Sequence, residues 1–469
     1  MSEYTGDMFQ SFLPFERRMR EDGIHALVIN AFKRNYLQLV SGSTGSIARS
    51  QIMPVHDVPD ASELDAYEAS GSSVLHKTVA IKLNGGLGTS MGLDKAKSLI
   101  ELRDSMSFLD IIVQQILHLR KRADVNIPLL LMNSFATHED SMALLGKWPE
   151  LDVQLPLDFL QNRVPKVFVH DYSPAVHDSQ AELEWCPPGH GDIYVALQTS
   201  GLLDALLNRG IEFAFISNAD NLGAVIDTGI LGYFADSGLE FLMEVADRTA
   251  ADRKGGHLAR LTDGRLTLRE RAQCPEQELE EFQDIELYKY FNTNSLWIHL
   301  PSLRNLLTRF DGLLPLPLIR NMKSLDPKAP DSPAVYQLET AMGAAISLFE
   351  RSGALRVSRH RFAPVKTTDD LLAVRSDIAV LTDDFRIVPN PSRRLGPIDI
   401  TLDQRYYKFI DQFDERFPHG PPSLIDCASL RITGDVTFGR DIVLRGNVHI
   451  DTGEGNVRRI TDGSVVEGK

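Results

Sequence analysis

Cysteine is scarce: the 469-residue chain holds three, Cys186, Cys274 and Cys427, in unrelated contexts. No pair has zinc-ligand spacing, and a sparse, odd count suits a reducing compartment. Basic charge is lacking too. The net charge is −15, which argues against the basic face that a nucleic-acid surface needs. Anionic ligands stay compatible if local lysines overcome the overall field. No apolar run approaches the ~20 residues of a membrane span. The opening MSEYTGDMFQSF lacks the basic-then-apolar pattern of a secretory signal. The expectation is a cytoplasmic protein with neither nucleic-acid nor membrane partner. Two familiar phosphate-binding patterns are also missing. GxxxxGK followed by Ser or Thr does not occur, and GxGxxG fails because Gly86-Leu87-Gly88-Thr89-Ser90 runs into Met91.

What is present is an ordinary globular composition, 43% hydrophobic with mixed charge. The length suggests about three units. Residues 1–72 read as a helical segment, with Phe12, Phe15 and Met19 at helical spacing and SGSTGS (41–46) as a flexible break. Residues 73–385 alternate between apolar strands and helices, the pattern of a mostly parallel sheet covered on both faces. Strands are expected at TVAIKL (78–83) and at 128–134, 166–171, 212–218, 239–246 and 295–300. Helices are expected after Ser107, which with Asp110 forms a capping box, and over 191–210 and 337–353.

Residues 386–469 differ. Leu430, Val436, Ile442 and Val448 recur every six residues, as do Ile432, Phe438, Leu444 and Ile450. That period marks a parallel β-helix; the alternative is an ordinary meander. About three coils are visible, too few to stand alone, so the coil should dock on the main domain or on another subunit.

The most unusual stretch is KLNGGLGTSMG (82–92), with four glycines in eight residues directly after a strand. Bare N–H groups there can approach phosphate closely. Lys95 and Lys97 follow; Lys95 reads as a solvated lysine, while Lys97 precedes the apolar pair Leu99-Ile100.

This loop, with Lys97-Ser98, resembles the nucleotide-binding loop of the eukaryotic-type UTP–glucose-1-phosphate uridylyltransferases, the UDP-glucose pyrophosphorylases. Further blocks match in the same order: MNSFATHED, PPGHGDIYVAL, ISNADNLGA, DRKGGHL, FNTNSLWI, QLETAMGAA and PVKTTDDLL, between residues 132 and 372. PSLIDCASLRITGDVTFG resembles that family's C-terminal coil. The resemblance implies an α/β fold of the nucleotide-diphospho-sugar transferase (GT-A-like) type, with a mixed, mostly parallel sheet and a short left-handed parallel β-helix. It implies that UTP and glucose 1-phosphate react, with Mg²⁺, to give UDP-glucose and pyrophosphate.

Carried over residue by residue, the resemblance implies that UTP meets Leu83, Asn84, Gly85, Gly86, Lys97, Gln161, Gly189, Asp220 and Lys366. Asp220 would be the Mg²⁺ ligand, with helix capping as its structural alternative. Lys366 and Lys97 would be the catalytic cations. The sugar phosphate would meet His190, Asn218, Lys254, Gly256, Asn292 and Asn294, though both asparagines also suit turn chemistry. Leu93, Lys166 and His257 depart from the family's usual residues, and His257 follows the sugar-side loop, where it bears on sugar selectivity. A homo-oligomer through the coil is compatible with the family. Pyrophosphorylases for N-acetylhexosamine or several sugar phosphates usually carry a different glycine loop, and a silent UDP-sugar-binding scaffold should have lost Lys366, Asp220 or Lys97. A dinucleotide-binding dehydrogenase would need the missing GxGxxG spacing.

Overall fold

The computed structural model describes residues 2–42, 45–249, 252–329, 331–453 and 455–468. Ser43 and Thr44, inside the expected SGSTGS break, lie outside the described residues. The expected strand after Ser73 forms as Thr78–Asn84 and stands inside a ten-stranded mixed sheet. Its side chains alternate between two cores. Val79 and Ile81 pack with Leu130, Met132, Ala214 and Ile216, while Ala80 faces Leu129 and Leu131. Both faces are buried, which is why the strand reads as a continuous apolar run.

Four strands are parallel: Phe213–Asn218, Thr78–Asn84, Leu129–Asn133 and Asp158–Leu160, in that spatial order. Their carboxyl ends lie together and create the crevice where open α/β sheets bind ligands. The other half is largely antiparallel. Tyr290–His299 runs against both Phe213–Asn218 and Phe241–Asp247, and the last of these is parallel to Ser352–Arg356. Ile52–Pro54 and the hairpin His257–Leu261/Leu266–Arg269 complete that side. The expected capping box forms: Ser107 Oγ accepts from the Asp110 N–H, and Asp110 accepts from the Ser107 N–H. It starts the helix Phe108–Ala123, which buries Leu109, Ile112 and Ile116.

Two expected helices differ. The span 191–210 is broken into Ile193–Thr199 and Leu202–Asn208 by Gly201, at φ +73°. Left-handed backbone cannot continue an α-helix. The span 337–353 is not helical in its expected form. Gln337–Glu339 ends a strand, Ala334–Glu339, and Met342–Ser347 form a 3₁₀ turn. Met342 through Ile346 are all buried, with no solvent face. A Cβ on Gly343 would lie 2.9 Å from Asn292 Nδ2 and 3.0 Å from Leu268 Cδ2. The small residues there serve close packing, and their spacing imitates a helical stripe. The expected strand at 166–171 shrinks to Val167–Phe168, in a separate three-stranded sheet.

The six-residue repeat becomes a parallel coil. Leu430 stands beside Val448 and Ile432 beside Ile450, one 18-residue turn, or three six-residue steps, later. The coil's core merges with Tyr407, Phe413, Phe417 and the helix Phe108–Ala123. It therefore docks on the main domain of its own chain. Leu444 is fully buried in this junction, so Leu444→Ala should cost about 2–5 kcal/mol. Chemical denaturation would check this; an unchanged midpoint would contradict the packing. At the other end, Phe12, Phe15 and Met19 lie on the helix Ser2–Glu21, in keeping with their helical spacing, and are buried in a cluster containing Phe32, Tyr36 and Trp185.

Candidate functional site

The glycine loop closes on itself. The Gly88 N–H donates to Lys95 O and the Lys97 N–H donates to Gly86 O. The clasp's returning arm therefore carries Lys97 back over the loop. Next along the sheet, the Ala219 N–H donates to Leu83 O at 3.0 Å, which fixes the turn holding Asp220 beside the same loop. Lys97 Nζ then lies 2.8 Å from Asp220 Oδ2. The other carboxylate oxygen, Oδ1, is buried without a hydrogen-bond partner. Asp220 does not cap a helix; that task falls to Asp227, at the helix Thr228–Asp236.

Glycine is required at Gly189, and at Gly85 it leaves room for the Gln161 amide. At Gly85 an added Cβ would lie 2.7 Å from Gln161 Oε1. Gly189 has φ +80°, and a Cβ there would lie 2.5 Å from Thr340 O. Both allow backbone to reach where a side chain would collide. Gln161, 8% exposed, is held from two sides: its N–H donates to Asn133 O at 2.7 Å and its Nε2 to Gly189 O at 2.8 Å. Its Oε1 faces the glycine loop. Asn84 is committed elsewhere, since its amide donates to Asn133 Oδ1 and Ser141 Oγ. The Asn84 amide N–H groups are thus spent, leaving its backbone and Oδ1 for ligand contact.

His190 accepts the Met342 N–H at Nδ1, 3.1 Å away. Desolvation pushes its pKa down to about 4. It is neutral at pH 7, with the proton on Nε2, and serves as an uncharged donor.

These groups line one cavity of about 320 Å³: Leu83, Asn84, Gly85, Gly86, Lys97, Gln161, Gly189, His190, Asn218 and Asp220. Its size falls in the usual range for small-ligand sites. Gln337 and Glu339 also border it. Sequence reasoning missed both because it read their segment as helix. On a strand, residues two apart share a face, and that alternation is the signal that could have found them. Burial raises the Glu339 carboxyl above its ordinary range, although it accepts a hydrogen bond from Asn321.

Five expected residues stand outside this lining. Lys366 is exposed, one residue from Val365, whose N–H donates to Asp220 O at 3.3 Å. Lys254 is exposed on the turn before His257–Leu261. A Cβ on Gly256 would lie 2.5 Å from the Glu270 carboxylate. Asn292 and Asn294 bond each other, Nδ2 to Oδ1 at 2.8 Å, beside a bulge in the sheet, with Asn294 at φ +58°.

His257 points into the core, against Tyr288. It is fully buried, and its ring stacks on Tyr288 at 3.7 Å between centroids. Desolvation, with Arg248 adding to it, pushes its pKa from 6.5 down to about 3. A histidine whose folded pKa lies below its unfolded value is held neutral by the fold. Its contribution is complete above pH 6.5 and is lost as pH falls toward 3, a loss of about 5 kcal/mol at most. His257→Phe should therefore move acid unfolding to lower pH and leave the choice among sugar phosphates unchanged. An altered sugar preference would contradict the inward orientation.

Comparison with known proteins follows this geometry. The UTP–glucose-1-phosphate uridylyltransferase family profile matches residues 29–445. This chain belongs to that family. A relative of the same description from Hordeum vulgare is 42% identical over 419 residues, 88% of this chain and 84% of that one. The Saccharomyces cerevisiae relative is 40% identical over 412 residues, covering 86% and 80%. Among solved structures, a variant of UDP-glucose pyrophosphorylase from Leishmania major in complex with UDP-glucose superposes with TM-score 0.89. The two are 42% identical over 97% of this chain and 98% of that one. The Leishmania major enzyme in open and closed structures gives TM-score 0.90 at 41% identity, covering 98% of each chain. The uridylyltransferase family thus spans nearly the whole chain, including the C-terminal coil.

Proposed function

We infer that this chain joins UTP and glucose 1-phosphate to form UDP-glucose and pyrophosphate, reversibly. One observation carries the inference: the bare glycine loop, Lys97 and Asp220 meet in a single cavity. In the reaction, a phosphate oxygen of glucose 1-phosphate bonds to the α-phosphorus of UTP. The bond from that phosphorus to the pyrophosphate oxygen breaks, and pyrophosphate leaves with the electron pair. The nucleophile is already anionic, so no enzyme base is needed. What the protein must supply is positioning and positive charge.

In this reading the N–H groups of Gly85 and Gly86 hold the nucleotide's phosphate side, with Leu83 and Asn84 beside them. Gln161 Oε1 accepts the uracil imide proton, and Gly189 gives the base room. Lys97 and Lys366 act as point charges on the phosphates. Neutral His190 donates Nε2–H to the sugar phosphate. Asn218, Lys254, Gly256, Asn292 and Asn294 form the sugar side. Lys254, Gly256, Lys366 and both asparagines lie outside the cavity lining, so the reading requires that side to close over the substrate.

The residues fit Mg²⁺. Asp220 offers a buried carboxylate oxygen with no partner. Among the described residues no group of three or more His, Cys, Asp or Glu side chains could hold a metal, so Asp220 would share the ion with substrate phosphates, as Mg²⁺ often permits. When bound, Mg²⁺ would offset charge on the phosphates. Lys97 holds Asp220 until then. We place the reaction in the cytoplasm, in keeping with three unpaired, buried cysteines; among the described residues no helix is long and apolar enough to cross a membrane.

The reverse direction gives a direct test. UDP-glucose and pyrophosphate with Mg²⁺ should yield UTP, and excess chelator should abolish the yield until Mg²⁺ is restored. Turnover in metal-free buffer would contradict the role of Asp220, and no UTP under any condition would contradict the reaction.

A further inference from the structure

A second cavity, of about 240 Å³, lies behind the site, between the sheet and the helices Phe108–Ala123 and Thr228–Asp236. Its most unusual lining group is Lys82. This side chain sits on the glycine-loop strand, 3% exposed. Its Nζ donates to Ser217 Oγ at 2.8 Å and to Ala224 O at 2.6 Å, and sits 5.6 Å from the centre of the Phe215 ring. All three partners are neutral. Burial lowers its pKa to about 7; an ammonium has three N–H donors, so in the protonated form, which a bound anion would favour, one remains beyond these two hydrogen bonds. The buried carboxylate that favours its charge, Glu244, is already paired with Arg361 at 2.7 Å, and Arg361 disfavours that charge. A buried cation without a counter-ion is costly, and folds usually pair it.

The cavity's mouth carries further positive charge. Arg122 is exposed there and makes no ion pair or hydrogen bond among the described residues. Arg386 borders the same opening, paired with Asp384 at 2.7 Å. Of the other acids at the wall, Asp227 is engaged in capping its helix and Glu68 is exposed at the edge. A cation at the floor and two guanidiniums at the mouth suit a small tetrahedral oxyanion, because guanidinium forks match its geometry.

We propose that this cavity is a binding site for inorganic phosphate or a small phosphate monoester, with Lys82 as its floor. Such a site is coupled to catalysis by its position. Lys82 holds both ends of the segment Ser217–Ala224, which carries Asn218 and Asp220. An anion that draws the ammonium toward the cavity loosens both hydrogen bonds and shifts Asp220 relative to Lys97. Occupancy therefore changes the requirement for Mg²⁺ and UTP without competing for their site.

The test uses the whole chain saturated with UDP-glucose, which leaves only the pyrophosphate position of the catalytic cavity open; phosphate held there does not depend on Arg122 or Arg386, which line the second cavity. Calorimetric titration with inorganic phosphate and, separately, with glucose 6-phosphate should show binding beyond that of chloride at equal ionic strength. An Arg122→Ala, Arg386→Ala double variant should weaken it at least about fivefold, the loss of charge-assisted hydrogen bonds. Lys82→Met should abolish it; if that variant does not fold, the double variant carries the test. Binding of inorganic phosphate that depends on both arginines supports the proposal, and the same pattern with glucose 6-phosphate alone supports it with a monoester as the ligand. No binding, or equal binding in the double variant, overturns it. Failure of UDP-glucose itself to bind would count against the catalytic reading instead.

Discussion

Lys366→Ala should lower kcat by about 10²–10³-fold, the usual cost of removing one preorganised group that stabilises transition-state charge, and leave the fold unchanged. The expectation of intact folding rests on local detail. The Lys366 side chain is exposed, and among the described residues no hydrogen bond or ion pair involves it. Only its backbone is used: the N–H donates to Asp370 Oδ2 at 2.7 Å, in the turn that starts the helix Thr368–Arg375. Alanine supplies the same N–H. Steady-state rates alongside a thermal melt would separate the two effects. A variant with an unaltered melt and near-normal turnover would remove Lys366 from catalysis; a collapsed melt would show that its role is structural.

Asp220→Asn should have a comparable effect, with a different signature. The substitution keeps size and removes charge. Lys97 loses its partner at 2.8 Å, and a metal loses one of the two carboxylates, Asp220 and Glu339, that line this cavity among the described residues. Loss of about 10³-fold in kcat/KM is expected, in line with losing a metal-bridged clamp on phosphate charge. The diagnostic is the Mg²⁺ dependence, which should move to higher concentration. If the rate falls while the Mg²⁺ dependence stays where it was, Asp220 orients Lys97 and does not hold the ion.

The sequence made parts of this arrangement legible because their causes are local. A capping box is set by residues three apart, so Ser107 and Asp110 predict their helix correctly. The six-residue period predicts the coil, because each turn buries Leu, Val, Ile or Phe at the same angular position. The glycine loop advertises itself by composition. Other parts depend on tertiary contact. Nothing near Lys97 in the chain announces its pairing with Asp220, 123 residues away. The segment 337–353 has helical spacing, yet burial on every side forces a strand and a 3₁₀ turn, and this hid Gln337 and Glu339. His257 follows the expected sugar-side loop in sequence, but as the first residue of a strand its side chain falls on the inner face, against Tyr288. A one-residue step on a strand reverses direction, and sequence order alone does not say which face is which.

The measurement that bears most directly on the central claim is pyrophosphate release from UTP and Mg²⁺ with three acceptors in parallel. These are glucose 1-phosphate, galactose 1-phosphate and N-acetylglucosamine 1-phosphate. The account predicts rapid release with glucose 1-phosphate and much slower release with the other two. Comparable rates with all three would keep the transfer chemistry but contradict glucose selectivity. Silence with all three, in folded protein that still binds UTP, would contradict the claim that this cavity performs uridylyl transfer.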